Sequence, residues 1–336
     1  MEGQNSKDGG NQFVREKGLR VHGSRDKTRH EDSRMSLDII SIGELLIDFI
    51  STDGGVSFRR AAGGAPANVV VACSHLGLRS GFIGKVGNDE FGQFLRDTLK
   101  REGVDVSKVR LDRKVGTTLA FVWVDKDGER RFKFRRGADA LLELGEVDDD
   151  YVRGSRVFHF GSISLISEPS RSATLKAVKV AKKNSITITY DPNLRLNLWK
   201  RREMARHWMM AGLRRANVVK LNEEEIRFMF GSSIEDGADE LLRFADKVFI
   251  SLGRRGCYYA DKDSRGYSKP YKIGVRDTTG AGDGFMGGII YGNLKGWGVE
   301  KTASFSNAVG ALTASKLGGI PSMPALGEVL QLMQKR

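Results

Sequence analysis

Residues 277–288 read DTTGAGDGFMGG and run into the apolar Ile289-Ile290-Tyr291. A Gly-Ala-Gly turn ahead of a helix aims several backbone N–H groups at one point, and the helix dipole adds positive charge there. Gly280, Ala281 and Gly282 are therefore a candidate anion hole. No Gly-Lys-Ser/Thr follows, which excludes a Walker A loop. Asp283 stands at the helix start beside the same point. A carboxylate so placed accepts a proton from a hydroxyl while the N–H groups hold a transferring phosphoryl. The competing reading is an N-cap aspartate on a glycine-rich turn. A cap does not require glycines this dense, which are costly inside a packed element, so the stretch favours a base with an anion loop.

A second junction, AAGGAPANVVVACSHLG, spans 61–77. Gly63 and Gly64 allow the backbone to approach a ligand closely, and Pro66 fixes the turn. Asn68, in the first turn of the following helix, both donates and accepts, as sugar hydroxyls demand. Alone, the stretch reads equally well as a loop-to-helix junction with no ligand.

These groups need a frame. Apolar runs at VFHFG (157–161), ITITY (186–190), NVVKL (217–221) and VFISL (248–252) start about 30 residues apart, the size of one βαβ unit. Leu37 to Ile42, closed by Gly43, has the composition of a further buried parallel strand. The expected class is α/β, a doubly wound, mostly parallel sheet with helices on both faces. Ligands of such sheets bind beyond the carboxyl ends of strands. Those ends here carry Ser162 and Ser164, Asp191 and Asn193, Asn222 and Glu225, and Ser251 and Gly253. Helices are expected over 89–103, with Asp89 as N-cap and Gly103 at C′, and over 170–184. TTLAFVWVDKDGERRFKF (117–134) reads as a hairpin turning at Asp127-Gly128, and 45–61 as a second. Together they suggest a small antiparallel sheet acting as a lid, with strands near 45–61 and 115–137. His159 reads as a packed strand residue, EVDDDY (146–151) as a solvated helix start and KRREMAR (200–206) as a charged helix face.

Composition sets the limits. The chain has 336 residues, with 55 Lys and Arg against 42 Asp and Glu, a net charge of +13. That balance suits a protein handling anionic small molecules. Nucleic acid is not expected as a partner, because there is no Cys/His finger and no basic stripe interleaved with aromatics. No run of 18 apolar residues exists, which argues against a membrane span. Two cysteines, Cys73 and Cys257, fit a reducing, cytoplasmic setting and no Cys-based metal site. Residues 1–35 are polar and basic, cannot bury enough surface to order, and resemble neither a signal nor a transit peptide. The folded domain is expected over 36–336.

GGAPANVVVACSHLG and DTTGAGDGFMGGII resemble the two signatures of the PfkB carbohydrate kinase family, which includes ribokinase, fructokinase and adenosine kinase. FIGKVGNDEFG (82–92), DPNLRLNLW (191–199) and LNEEE (221–225) support the likeness, which covers residues 37–325. The resemblance implies ATP-dependent phosphorylation of a sugar hydroxyl in a ribokinase-like fold. It makes Asp283 the base and Gly280, Ala281 and Gly282 the anion hole. Asp48, at the end of the first strand, joins Gly63, Gly64 and Asn68 around the sugar, with Arg136 of the lid and Arg195 also reaching the substrate. Asn222 and Glu225 match an Asn-x-x-Glu element that organises Mg²⁺ and phosphates, largely through water. Ser251 and Gly253 are implied at the nucleotide, and Asn307 and the segment around Gly318 near the adenine. Asp277, Thr279 and Gly318 are implied around a monovalent cation, K⁺, used by many members. GGAPAN and DPNLRLNLW are most similar to fructokinases, which implies fructose as acceptor. 2-keto-3-deoxygluconate kinases and ribokinases are the alternatives. From another class, a sugar or nucleotide sensor without turnover, or a nucleic-acid binder, remains to be weighed; the intact GAGD argues against catalytic loss. Lid strands of the family often pair between subunits, so a homodimer through the lid is a further expectation.

Overall fold

Leu37 to Ile42 offers no wet face, and it forms β1 (Leu37–Ile42) inside a sheet covered on both sides. This computed structural model describes residues 36–51, 53, 55–124 and 130–335. The expected tail of 1–35 and the Asp127-Gly128 turn lie outside the described residues. After β1 come β2 (Leu46–Ser51), β3 (Phe58–Gly63), α1 (Ala65–His75), β4 (Ser80–Gly87), α2 (Glu90–Arg101), β5 (Asp105–Asp112), β6 (Leu119–Val124) and β7 (Arg130–Arg135). The chain continues through α3 (Asp149–Arg153), β8 (Ser155–Gly161), α4 (Ser170–Lys183), β9 (Thr187–Asp191), α5 (Arg202–Leu213), β10 (Val218–Asn222), α6 (Glu223–Phe230) and α7 (Ile234–Leu242). It ends with β11 (Lys247–Ser251), β12 (Cys257–Asp261), β13 (Arg265–Ser268), α8 (Ala281–Leu294), α9 (Val299–Ala314) and α10 (Leu326–Gln334).

The main sheet runs β13-β12-β11-β10-β9-β8-β1-β4-β5. Every pairing from β5 to β11 is parallel, and β12 and β13 extend the edge antiparallel. The four apolar runs are thus consecutive neighbours, and their carboxyl ends share one rim. Successive strand residues point to opposite faces. Phe158, Phe160, Val219, Leu221, Val248 and Ile250 pack under α4 to α7, while Val157, Val218 and Phe249 pack under α1, α2, α8 and α9. Asp89 caps α2, accepting the Gly92 N–H at 2.8 Å, and Gly103 follows with φ 80°. Asp148 caps α3 through the N–H groups of Asp150 and Tyr151. His159 is buried, its Nδ1 3.0 Å from the Thr189 hydroxyl, and burial pushes its pKa down to about 4. It is a neutral, packed side chain.

The second sheet runs β3-β2-β6-β7. Both expected hairpins are present, β2 with β3 and β6 with β7, each antiparallel. The expectation of a wholly antiparallel sheet is corrected at its middle: β2 and β6 pair parallel, Asp48 opposite Ala120 and Phe49 opposite Phe121. The reason lies in the roots. β2 follows β1 and β6 follows β5, two strands that run the same way in the main sheet, so both hairpins leave one rim in the same direction. Asp48 correspondingly lies within β2 rather than at the end of the first strand.

The glycines of 277–288 divide into two groups. Gly284, Gly287 and Gly288 are inside α8, where they let neighbouring helices approach. A Cβ on Gly287 would stand 2.7 Å from the Ala72 Cβ on α1, and one on Gly288 would stand 2.7 Å from the Ser306 Cα on α9. Glycine density at this end of the stretch therefore answers to helix packing, not to an anion loop. Because the Ser306 contact is backbone, Gly288→Ala must shift α9. A loss of about 1–3 kcal/mol is expected in urea unfolding, and wild-type stability in that variant would contradict the packing.

Candidate active site

A cavity of about 250 Å³ opens at the shared rim. Glu44, Leu46 and Asp48 line it from the segment entering β2, and Gly64, Ala65 and Asn68 from the β3–α1 junction. Asn193, Arg195 and Lys220 contribute from the ends of β9 and β10, Phe134 from β7, and Thr278 to Gly280, Gly282 and Asp283 from the loop before α8.

The N-cap of α8 is Gly280, with φ 77°, a left-handed conformation that suits glycine. Asp283 is the third residue of the helix and makes no cap bond. Its Oδ2 instead accepts the Asn68 Nδ2–H at 2.8 Å, joining residues 215 positions apart. The Ala281 N–H is turned back to the Thr278 carbonyl. The N–H groups of the first helical turn have no intrahelical acceptor, which leaves those of Gly282 and Asp283 facing the rim. Asp283 is 8% exposed. Burial lifts its pKa to about 6; the Asn68 bond, Lys220 and Arg195 oppose the rise, and Asp191 adds to it.

Lys220 was not singled out by the sequence, and Asp191 only as one of the polar residues at the strand ends. Lys220 is buried, its Nζ 2.8 Å from Asp191 Oδ2, and a Cβ on Gly282 would stand 3.2 Å from that Nζ. Burial disfavours its charge, but Asp191 and Glu225 more than offset this and hold its pKa above the ordinary value. A buried cation thus lies beneath the anion loop. The available signal was a lysine inside the otherwise apolar NVVKL.

The residues expected at the sugar come together. Gly63 touches Asp48 so closely that a Cβ there would stand 2.1 Å from its Oδ2. Gly64, with φ 115°, passes over the Glu44 carbonyl, 2.3 Å from where its Cβ would be. Asn68 Oδ1 is buried with no partner. Arg195 lines the cavity, its NH1 also donating to the Leu194 carbonyl. Arg136 is not among the lining residues: its NH2 lies 2.8 Å from Asp139 Oδ2, just beyond β7.

Several expected ligands have structural work. Asn222 and Glu225 form a capping box on α6: Asn222 Oδ1 accepts the Glu225 N–H and Glu225 Oε2 the Asn222 N–H, both at 2.8 Å. Glu225 Oε1 takes the Leu194 N–H at 2.7 Å. Burial, reinforced by Asp191, raises the Glu225 pKa. With both oxygens bonded and 2% exposure, Glu225 offers no free oxygen for direct coordination of Mg²⁺, so a role toward the metal would run through water. No cluster of three or more His, Cys, Asp or Glu able to hold a metal occurs among the described residues. Asn307 donates its amide to Ser268 and Lys269 at 3.1–3.2 Å, tying β13 to α9. Ser251 pairs with Asn222 across β11 and β10, and Gly253 follows on the exposed loop. Asp277 Oδ1 accepts the Thr279 N–H and hydroxyl at 2.8 and 2.7 Å, and Oδ2 the Gly318 N–H at 3.0 Å. That clasp joins the anion loop to the segment after α9.

A larger groove of about 640 Å³ beside α5 and α6, lined by Arg202, Arg206, Arg214, Arg215 and Phe228, gathers the expected charged face. It holds none of the loop or carboxylate chemistry above. No helix among the described residues is long and apolar enough to cross a membrane. Cys73 and Cys257 are free and buried.

With this geometry in place, the comparisons with known proteins are specific. Residues 36–326 match the pfkB family carbohydrate kinase description, and the chain belongs to that family. It is therefore a phosphotransferase acting on a sugar hydroxyl. It is 42% identical to probable fructokinase-4 of Arabidopsis thaliana, over 88% of this chain and 96% of that protein. A fructokinase from Xylella fastidiosa with bound ATP superposes with a TM-score of 0.83 at 30% identity, covering 89% of this chain and 98% of that one. A double-mutant fructokinase from Vibrio cholerae O395 in a fructose-, ADP- and potassium-bound form gives 0.80 at 32% identity, over 88% and 98%.

The raised Asp283 pKa has a cost in stability. Between about pH 4 and pH 6 the folded state holds a proton that the unfolded state has released, so stability falls as pH rises through that window. A shift from 3.8 to about 6 corresponds to about 3 kcal/mol. Asp283→Asn is expected to match wild type near pH 4 and to exceed its stability by up to that amount at pH 7. A variant with no such gain in urea unfolding would contradict the burial of the charge.

Proposed function

We propose that the protein is an ATP-dependent fructokinase that makes fructose 6-phosphate. The observation that carries this reading is the convergence of Asp283, fixed by Asn68, with the Gly280–Gly282 loop and Asp48 in one cavity. The named relatives support the choice of sugar. In this reading Asp48, Asn68 and the Gly63-Gly64 backbone hold the sugar, and Arg195 approaches it from β9. The small sheet covers the sugar as a lid, since Leu46, Asp48 and Phe134 all line the cavity. Arg136 reaches the substrate only by leaving Asp139. Asp283 takes the proton of the 6-hydroxyl as its oxygen attacks the γ-phosphorus of ATP in line, and the bond to the β-phosphate oxygen breaks. The N–H groups of Gly282 and Asp283, with Lys220 beneath them, stabilise the charge on the transferring group.

The nucleotide would lie along Asn222, Ser251, Gly253 and Asn307, beside the Gly318 segment. Mg²⁺ would come with the phosphates, keep much of its water and neutralise their charge. The hard oxygens of Asp277 and Thr279 suit K⁺. The face of the small sheet away from the cavity carries Phe58, Phe121 and Trp123, which supports a homodimer through that sheet. A second reading, 2-keto-3-deoxygluconate kinase, is favoured by Arg195, whose guanidinium fits a substrate carboxylate.

An ATP-consumption assay over fructose, ribose and 2-keto-3-deoxygluconate decides among these. Fructose is expected to give the highest kcat/KM; preference for the sugar acid would overturn the assignment. Asp283→Asn is expected to lower kcat by about 10³-fold or more, and near-normal turnover would exclude Asp283 as the base. The kcat/KM profile is expected to fall below about pH 6, as Asp283 takes up its proton. Lys220→Met should move that limb to higher pH by removing a cation that favours the carboxylate. An unmoved limb would place Lys220 outside the electrostatics of the base.

A further inference from the structure

Glu44 is an acidic residue in the apolar run SIGELLIDFI, and the proposed chemistry leaves it unused. It follows Gly43 after β1 and is 3% exposed. Glu44, Leu46 and Asp48, every second residue, line the cavity, while Leu45 and Ile47 between them are fully buried in the core. Its Oε1 accepts the Ala65 N–H at 3.2 Å, at the start of α1. Its Oε2 is also buried and has no hydrogen-bond partner. An ionised carboxylate with a bare, buried oxygen is costly. A protonated one is not, provided that a ligand brings an acceptor.

We infer that Glu44 stands in the cavity as a neutral carboxylic acid and donates a hydrogen bond from Oε2 to an oxygen of the sugar, as a specificity residue of the active site. The inference rests on the sugar-kinase reading. It deepens that reading by adding a donor to a substrate site otherwise rich in carboxylates.

The surroundings favour the neutral form. Burial, with the nearby Asp139 carboxylate, pushes the Glu44 pKa up to about 7; its own backbone N–H, Arg136 and the Ala65 N–H pull the other way. Asp139 approaches from the segment after β7, itself held by the Thr118 hydroxyl and the Arg136 guanidinium. Asp48 lines the same cavity from β2, and Arg195, Lys220 and Asp283 line it from the loops beyond β9, β10 and the α8 start. On α1 the neighbouring lining side chain is the uncharged Asn68. Arg136 is occupied by Asp139, and Lys220 by Asp191. Ionised Glu44 would therefore add a negative charge that no neighbouring cation is placed to pair, and it would lose its donor. Sugar affinity should weaken as pH rises through neutrality.

The test measures KM for fructose, and fructose binding by calorimetry, from pH 6 to 9 in wild type, Glu44→Gln and Glu44→Ala. Wild-type KM and Kd are expected to rise about tenfold or more across this range. Glu44→Gln, whose amide donates at every pH, should keep the low-pH values throughout. Glu44→Ala should raise both by about tenfold or more even at pH 6, with the effect in KM rather than kcat. If wild type and Glu44→Gln show the same pH dependence, the inference is overturned. It is also overturned if titration appears only in the melting temperature of the sugar-free protein, which would mean that Glu44 donates internally to Asp139. Glu44-dependent binding without turnover would uphold the inference and sink the kinase reading, whereas a protein that binds no sugar would sink both.

Discussion

A lysine ammonium and an aspartate carboxylate, 2.8 Å apart and nearly without solvent, lie where β9 and β10 meet the active-site rim. Much of the site's arrangement depends on this pair. Asp191, Glu225 and Asp283 bring three carboxyl groups into one buried neighbourhood, with Lys220 as its buried cation. A buried ion pair rarely adds stability over a well-packed apolar pair, because both charges must be stripped of water. Its use here is positional. The ammonium lies under Gly282, where backbone dipoles converge from the other side, so a phosphoryl group entering the loop would meet positive potential from two directions. The same cation opposes the rise in the Asp283 pKa that burial alone would cause.

Around that pair, much of what resembles ligand chemistry is scaffold. Glu225 holds the start of α6 with one oxygen and the Leu194 backbone with the other, which fixes the approach of Arg195 to the cavity. Asp277 ties its loop to Gly318, and Asn307 ties β13 to α9. Each of these side chains shapes a surface that a nucleotide or a cation can use while offering few free donor atoms of its own. The polar character of the sequence motifs is satisfied largely within the protein, which leaves Asp283, the helix start and Lys220 as the candidate reacting groups.

The parallel sheet was legible because four apolar runs recur at βαβ spacing, a pattern carried within a short window. Asp283 and Asn68 were legible because unusual glycine contexts announce them, although their contact spans 215 positions and no local pattern encodes it. Lys220 and Glu44 were hidden for the opposite reason. Each is a charge set in an apolar run, and only the tertiary neighbourhood shows whether such a charge is paired, protonated or turned to solvent. The Asn222–Glu225 box has the spacing of an ordinary helix start, and the motif alone does not show that both side chains are also committed to the local backbone. The parallel pairing of β2 with β6 depends on where each hairpin is rooted, which hairpin signals do not specify.

The short connection from β1 into β2 has a mechanical consequence. Only Gly43, Glu44 and Leu45 separate the main sheet from the strand that carries Asp48. Such a tether works as the fulcrum of a lever. If the small sheet tilts, displacement grows with distance from this mount, so Phe58 and Trp123 travel far while Asp48 and Glu44 barely move. Swinging the outer part of the sheet would thus open the cavity while Asp48 and Glu44, which line it, stay registered on the rigid frame.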